Sequence, residues 1–239
     1  APNFVFGLIK KYKIECEVTN TGTIHAAHSK SGFADLQYRK NEWDRLGAPV
    51  DLLSAEETAE LTGTKSFYGG LVDNRAGTIN PMGYCRGLAR VALKNGAKLT
   101  TNCRVLDLVK ENNGWRLITP NGDLKAKTVI LGTNAYTDNL WPGLAQTFTR
   151  INYFNCATLP LGERIKDVLP KRQGLWDTGK IMFSLRRDKY DRLIIGSMGR
   201  IHGNRKGGIT KQWASAQLRR LFPDLGPVEF ENIWYGEIA

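Results

Sequence analysis

The sequence is short of several things at once. It has three histidines and four cysteines in 239 residues. Cys16, Cys85, Cys103 and Cys156 are scattered without a Cys-x-x-Cys pair, which excludes a disulfide framework and a zinc cluster of ordinary spacing. No apolar run approaches the roughly 20 residues that cross a bilayer, and no basic stretch leads into an apolar leader. The expectation is a cytoplasmic protein with no membrane partner. Acidic side chains are also in deficit, 23 against 34 basic ones, for a net charge of +11. Nucleic-acid binding would need those charges gathered on one surface with stacking aromatics. The densest basic groups, residues 10–13, 186–187, 200–206 and 219–220, fall in unrelated elements, so no nucleic-acid partner is expected and a solvated basic surface is. Such a field still attracts small anions. No Gly-x-Gly-x-x-Gly turn follows a strand: residues 203–208 are glycine-rich without that setting, and Gly69-Gly70 is too short.

What is present suffices for a substantial core, with 41% hydrophobic and 24% charged residues. Apolar spacing predicts a helix end at residues 4–9, strands at 14–18 and 22–28, and a helix over 33–46 closed by Gly47. His25 and His28 then face opposite sides of their strand and cannot share a metal. Ser54 with Glu57 three residues later is a capping box opening a short helix. A strand follows at 67–72, and Asn80 with Pro81 starts a helix whose stripe of Met82, Cys85, Ala89, Ala92 and Leu93 ends at Gly96. Next come expected strands at 98–100, 104–110 and 115–119, with an Asn121-Gly122 turn. The run Val129-Ile130-Leu131, in an expected strand over 125–132, suggests a central position buried on both faces. From residue 151 the pattern becomes strands at 151–159, 180–185 and 193–197, a helix from Thr210 to Phe222, and a strand over 228–237.

These stretches in this order resemble the FAD-dependent amine and amino-acid oxidoreductases of the D-amino-acid-oxidase-like (DAO) superfamily, nearest to its gamma-glutamylputrescine oxidase branch. The resemblance is carried by residues 77–89, 96–105, 127–136 and 192–196, and by Phe222-Pro223 with Trp234-Tyr235-Gly236. It implies an α+β or α/β fold: a partial Rossmann-like FAD-binding domain joined to a mostly antiparallel substrate-binding sheet flanked by helices. The expected organisation is residues 1–76 for the first part of the substrate domain, 77–145 for the middle of the FAD domain with a small meander, and 146–239 for the rest of the substrate sheet. The chain resembles the interior of a longer protein, without the phosphate-binding turn and the flavin-facing end. Weak FAD retention by the chain alone, and self-association through exposed sheet edges, are expected to follow.

The implied activity is oxidation of the C–N bond of a small amine or amino acid by hydride transfer to flavin N5. The hard chemistry then belongs to FAD and the protein positions the substrate. By resemblance Val105 meets the adenine, although by itself it is an apolar strand residue. Thr133, Asn134 and Ala135 end a strand where a ligand crevice opens, or Asn134 caps the turn instead. Trp234 and Gly236 fall near the flavin, with core packing the other reading for Trp234. For substrate, Tyr153 and Phe154 point to opposite faces of one strand, so one of them lines a pocket. Arg186 either holds a carboxylate or faces solvent. Glu237 either attracts an ammonium group or begins a loop. A cofactor-free structural fragment is the competing reading.

Overall fold

The computed structural model describes residues 2–202 and 207–239, so most of the glycine-rich stretch 203–208 lies outside the described residues. In chain order the elements are α1 (Pro2–Tyr12), β1 (Thr23–Ala26), α2 (Lys30–Arg45), β2 (Val50–Leu53), α3 (Ala55–Thr62), β3 (Gly70–Asp73), α4 (Pro81–Lys94), β4 (Asp107–Glu111), β5 (Gly114–Ile118) and β6 (Leu124–Ala126). They continue with β7 (Ile151–Thr158), β8 (Gly174–Asp177), β9 (Phe183–Arg187), β10 (Leu193–Met198), α5 (Gly208–Leu221) and β11 (Phe230–Ile238). Two compact units result, one of residues 1–91 and 153–235, the other of residues 92–152 and 236–239.

The larger unit is built on an eight-stranded sheet in the order β11-β7-β10-β9-β8-β1-β3-β2. β1 runs parallel to β8, while β1–β3, β2–β3, β8–β9, β9–β10 and β7–β10 are antiparallel. Alternation sends Ile24, Leu175, Leu185, Ile195, Phe154 and Cys156 to one face, where they pack with Ala214, Leu218 and Leu221 of α5. At the far end, Leu36 of α2 packs with Val50 and Leu71. A third cluster joins Ile9, Ile14 and Cys16 to α4, where Gly87 lies so close to Ile14 that a Cβ would sit 2.2 Å from its Cγ2.

The sequence signals for helix ends hold. The Ser54 hydroxyl accepts from the Glu57 amide at 3.1 Å and the Glu57 carboxylate accepts from the Ser54 amide at 2.8 Å. Asn80 caps α4 by accepting from the Gly83 amide at 3.0 Å, with Pro81 as first helical residue.

The smaller unit has a three-stranded meander, β4-β5-β6. Here the expected strands are corrected. Residues 98–100 are not a strand, the strand expected at 104–110 is β4, and that expected over 125–132 shortens to β6. An apolar run becomes a strand only where another strand accepts its ladder, and none of the described residues does so for 127–133. Ile130 is accordingly 89% exposed rather than central. Residues 14–18 likewise form no strand; only a Thr19–Thr78 bridge lies beside them. Two strands absent from the sequence reading, β2 and β8, have four residues each.

Candidate functional site

The face of the large sheet opposite α5 is organised by register. His25 pairs with Trp176, Trp176 with Ser184, Ser184 with Gly196, and Gly196 with Asn155, a single row across β1, β8, β9, β10 and β7. His25 stacks on Trp176 with ring centroids 5.2 Å apart. Gly196 leaves a gap in the row that only a residue without a side chain permits, since a Cβ there would lie 2.4 Å from Asn155 Oδ1 and 2.7 Å from Tyr153 Cε1. Tyr153 lies across this gap and its hydroxyl donates to Ser184 Oγ at 2.8 Å.

This row carries no formal charge at neutral pH. Burial, with Arg39 next, pushes the His25 imidazole down to about 4. Burial likewise raises the Tyr153 phenol, outweighing the Ser184 hydrogen bond that lowers it. The folded protein therefore binds fewer protons at His25 than the unfolded chain. The stability this contributes is complete above pH 6.5 and is lost as pH falls from 6.5 towards about 4. A His25→Phe variant, which keeps a ring against Trp176, is expected to lose less stability than the wild type across that window. Urea unfolding midpoints at its two ends check this; equal losses in the two proteins would refute it.

The residues expected from sequence fall in different places. Tyr153 lies half-buried on the face opposite α5, whereas Phe154 is buried in the core, edge-on to Trp213 at 5.3 Å. Arg186 shares the parity of Ser184 but lines a separate cleft with Glu17. In the smaller unit, Val105 and Thr133 line one cavity of about 300 Å³ with Ile130, Leu131 and Gly132. Asn134 is the first residue of a short 3-10 turn whose cap position is Thr133, and its Oδ1 accepts from the next amide, that of the fully buried Ala135, at 2.7 Å. The Glu237 amide donates to the Tyr136 hydroxyl at 3.1 Å, and Gly236 lies against the same hydroxyl. The 134–136 turn and residues 236–237 thus come together, while Trp234 is exposed. His28 bonds Thr178 Oγ1 through Nδ1 at 2.7 Å. Among the described residues no cluster of histidine, cysteine or carboxylate suits a metal ion.

Sequence reasoning missed Trp176, Ser184, Gly196 and Asn155. Parity with Tyr153 along 151–158 would have found Asn155, and parity with Arg186 would have found Ser184. Trp176 belongs to a strand too short to announce itself.

Among the described residues no helix is long and apolar enough to cross a membrane. The sequence matches the DAO family, described as FAD dependent oxidoreductase, over residues 1–239. It is 26% identical to gamma-glutamylputrescine oxidoreductase of Escherichia coli strain K12 over 231 residues, covering 95% of this chain and 54% of that protein. It is 24% identical to the probable oxidoreductase OrdL of Haemophilus influenzae over 236 residues, covering 96% and 54%. The chain therefore spans about half the length of the curated relatives it matches. The crystal structure of glycine oxidase from Geobacillus kaustophilus shares the fold with a TM-score of 0.78 at 19% identity, over 99% of this chain and 64% of its own. With an antiparallel-rich sheet, a small meander and a family match along its whole length, this chain belongs to the DAO family of FAD-dependent oxidoreductases.

Proposed function

We propose that the protein containing this chain oxidises the C–N bond of a small amine or amino acid in the cytoplasm, with the face of the large sheet opposite α5 as the wall that holds the substrate. The observation that carries the reading is the uncharged row of Trp176, Ser184 and Asn155, with Tyr153 bonded across it, on a rigid sheet whose other face is core. A flat wall of aromatic and weakly polar groups suits a small ligand oriented by few hydrogen bonds. Because it offers no carboxylate, it favours the neutral amine, whose nitrogen lone pair is free.

FAD, when bound, supplies the two-electron acceptor. The smaller unit fits part of such a group: the cavity at Val105 and Thr133 has aliphatic walls and the Arg104–Asp138 ion pair, 2.7 Å long, among its lining residues. In this reading Val105 and Thr133 hold the cofactor by apolar contact and one hydroxyl, and Asn134, Ala135 and Gly236 shape the adjoining backbone. The name of the Escherichia coli relative points to an elongated amine as substrate, and that of the Geobacillus structure to a small amino acid.

The test is steady-state oxidation by the full-length protein across a panel of polyamine-type amines and amino acids, with Tyr153→Phe beside it. Removal of one neutral hydrogen bond is expected to lower kcat/KM about 5- to 10-fold while leaving the melting temperature nearly unchanged. Full-length protein that carries FAD yet turns over none of the panel, or a Tyr153→Phe variant with unaltered kinetics on every substrate, would overturn the proposal.

A further inference from the structure

Beyond the substrate wall, the segment 17–19 and the β9–β10 hairpin enclose a cleft of about 250 Å³ lined by Glu17, Val18, Thr19, Arg172, Arg186, Arg187, Asp188 and Lys189. Most of its charges are satisfied internally. Arg172 and Arg187 both bond Asp191, at 2.8 and 2.7 Å, and Asp188 is held by Arg192 at 2.8 Å. Lys189 is exposed and lies over the Tyr190 ring.

Two groups are left over, and they have opposite needs. Glu17 accepts from Asn80 Nδ2 through Oε1 at 2.9 Å, but its Oε2 is buried and has no hydrogen-bond donor. The Arg186 guanidinium meets no acceptor among the described residues, although burial opposes its charge and lowers its pKa, with Glu17 acting the other way. A buried polar atom without a partner is costly, and one such oxygen in the same cleft as a half-buried guanidinium that no acceptor meets calls for an occupant. The Glu17 backbone is also held in the left-handed region, at φ 50°, a conformation a glutamate seldom adopts and one that tends to mark a functional position.

We propose that this cleft binds a small zwitterionic α-amino acid, its ammonium group donating to Glu17 Oε2 and its carboxylate accepting from Arg186, as a site separate from the substrate wall. A guanidinium fork matches a carboxylate in two parallel hydrogen bonds, and an ammonium group supplies the donor that the glutamate oxygen lacks. One ligand thereby satisfies both groups, whereas a simple anion leaves Glu17 Oε2 without a donor and adds negative charge beside it. Lys189, at the exposed side, adds attraction for the carboxylate without fixing its position.

Calorimetric titration of the full-length protein tests this with three probes: glycine, acetate as the carboxylate alone, and methylamine as the ammonium alone. Flavin absorbance is followed in parallel under anaerobic conditions to report the substrate wall separately. Glycine is expected to give a saturable heat that the flavin spectrum does not follow. Each half-ligand is expected to bind at least about 10-fold more weakly, consistent with loss of one charge-assisted hydrogen bond. Arg186→Met is expected to abolish that heat. Glu17→Gln keeps an oxygen for Asn80 and is expected to weaken glycine binding about 10-fold or more. If Arg186→Met fails to fold, Arg186→Lys carries the test, because it keeps the charge and loses the fork. Acetate binding as tightly as glycine, or a glycine heat untouched by these variants, overturns the proposal. Neither result bears on substrate oxidation, which the flavin signal follows independently.

Discussion

An Asp188→Ala variant is expected to lose about 3 kcal/mol of stability, the scale on which breaking one side of a buried ion pair acts. Asp188 opens the loop between β9 and β10, and its side chain is 2% exposed. One carboxylate oxygen accepts from the amides of Tyr190 and Arg192, at 2.9 and 3.0 Å, and the other accepts from Arg192 Nε at 2.8 Å. Alanine leaves those two amides without their acceptor and deprives the Arg192 guanidinium of one of its two carboxylates, Glu231 at 2.8 Å remaining. For a protein of this size the melting temperature falls by roughly 6–12 °C. Asp188→Asn, which keeps an acceptor for the amides but loses the charge, is expected to fall by less than half as much. Calorimetric melting of the three proteins decides the matter, and a shift within 2 °C for the alanine variant would show that the loop does not depend on this carboxylate.

A Gly196→Val variant is expected to cut kcat/KM about 100-fold, the scale produced when substrate-positioning groups shift by an ångström. The new side chain begins at a Cβ 2.4 Å from Asn155 Oδ1, 2.7 Å from Tyr153 Cε1 and 2.8 Å from the Phe154 carbonyl oxygen. The first two neighbours can swing away, which breaks the Tyr153–Ser184 hydrogen bond and displaces Asn155 from the row. The third is backbone and cannot, so the strain also costs about 1–3 kcal/mol. Kinetics combined with thermal melting separate these parts. Wild-type kcat/KM in a well-folded Gly196→Val protein would remove this face from the catalytic site.

The legible features of this chain are those written locally. Ser54 with Glu57, and Asn80 with Pro81, need only their own helices to act, and both helix starts stand where the residues indicate. The stripe ending α5, with Leu218 and Leu221, is similarly self-contained. Strands depend on partners. Val129-Ile130-Leu131 has the composition of a buried strand, yet no described strand pairs with it and Ile130 faces solvent. β2 and β8 are real with only four residues apiece because β3, β1 and β9 hold them. The site follows the same logic. Alternation alone separates Tyr153 from Phe154, but which side of β7 becomes core depends on where α5 packs. The row from His25 to Asn155 depends on the registers of four strand pairings joining distant parts of the sequence. A glycine such as Gly196 gives no sequence signal of the two side chains that fold over it.

The parallel pairing of β1 with β8 joins Thr23 to Gly174. During synthesis at about 5–20 residues per second, β1 waits roughly 8–30 s after leaving the ribosome before that neighbour is made. Through this interval β1 can pair with β3 but keeps one bare edge, and Leu175 with Ala214, Leu218 and Leu221 of α5, which share a core with Ile24 and Ala26, have not yet been made. Until translation delivers β8, that edge of β1 is open to pairing with any other strand.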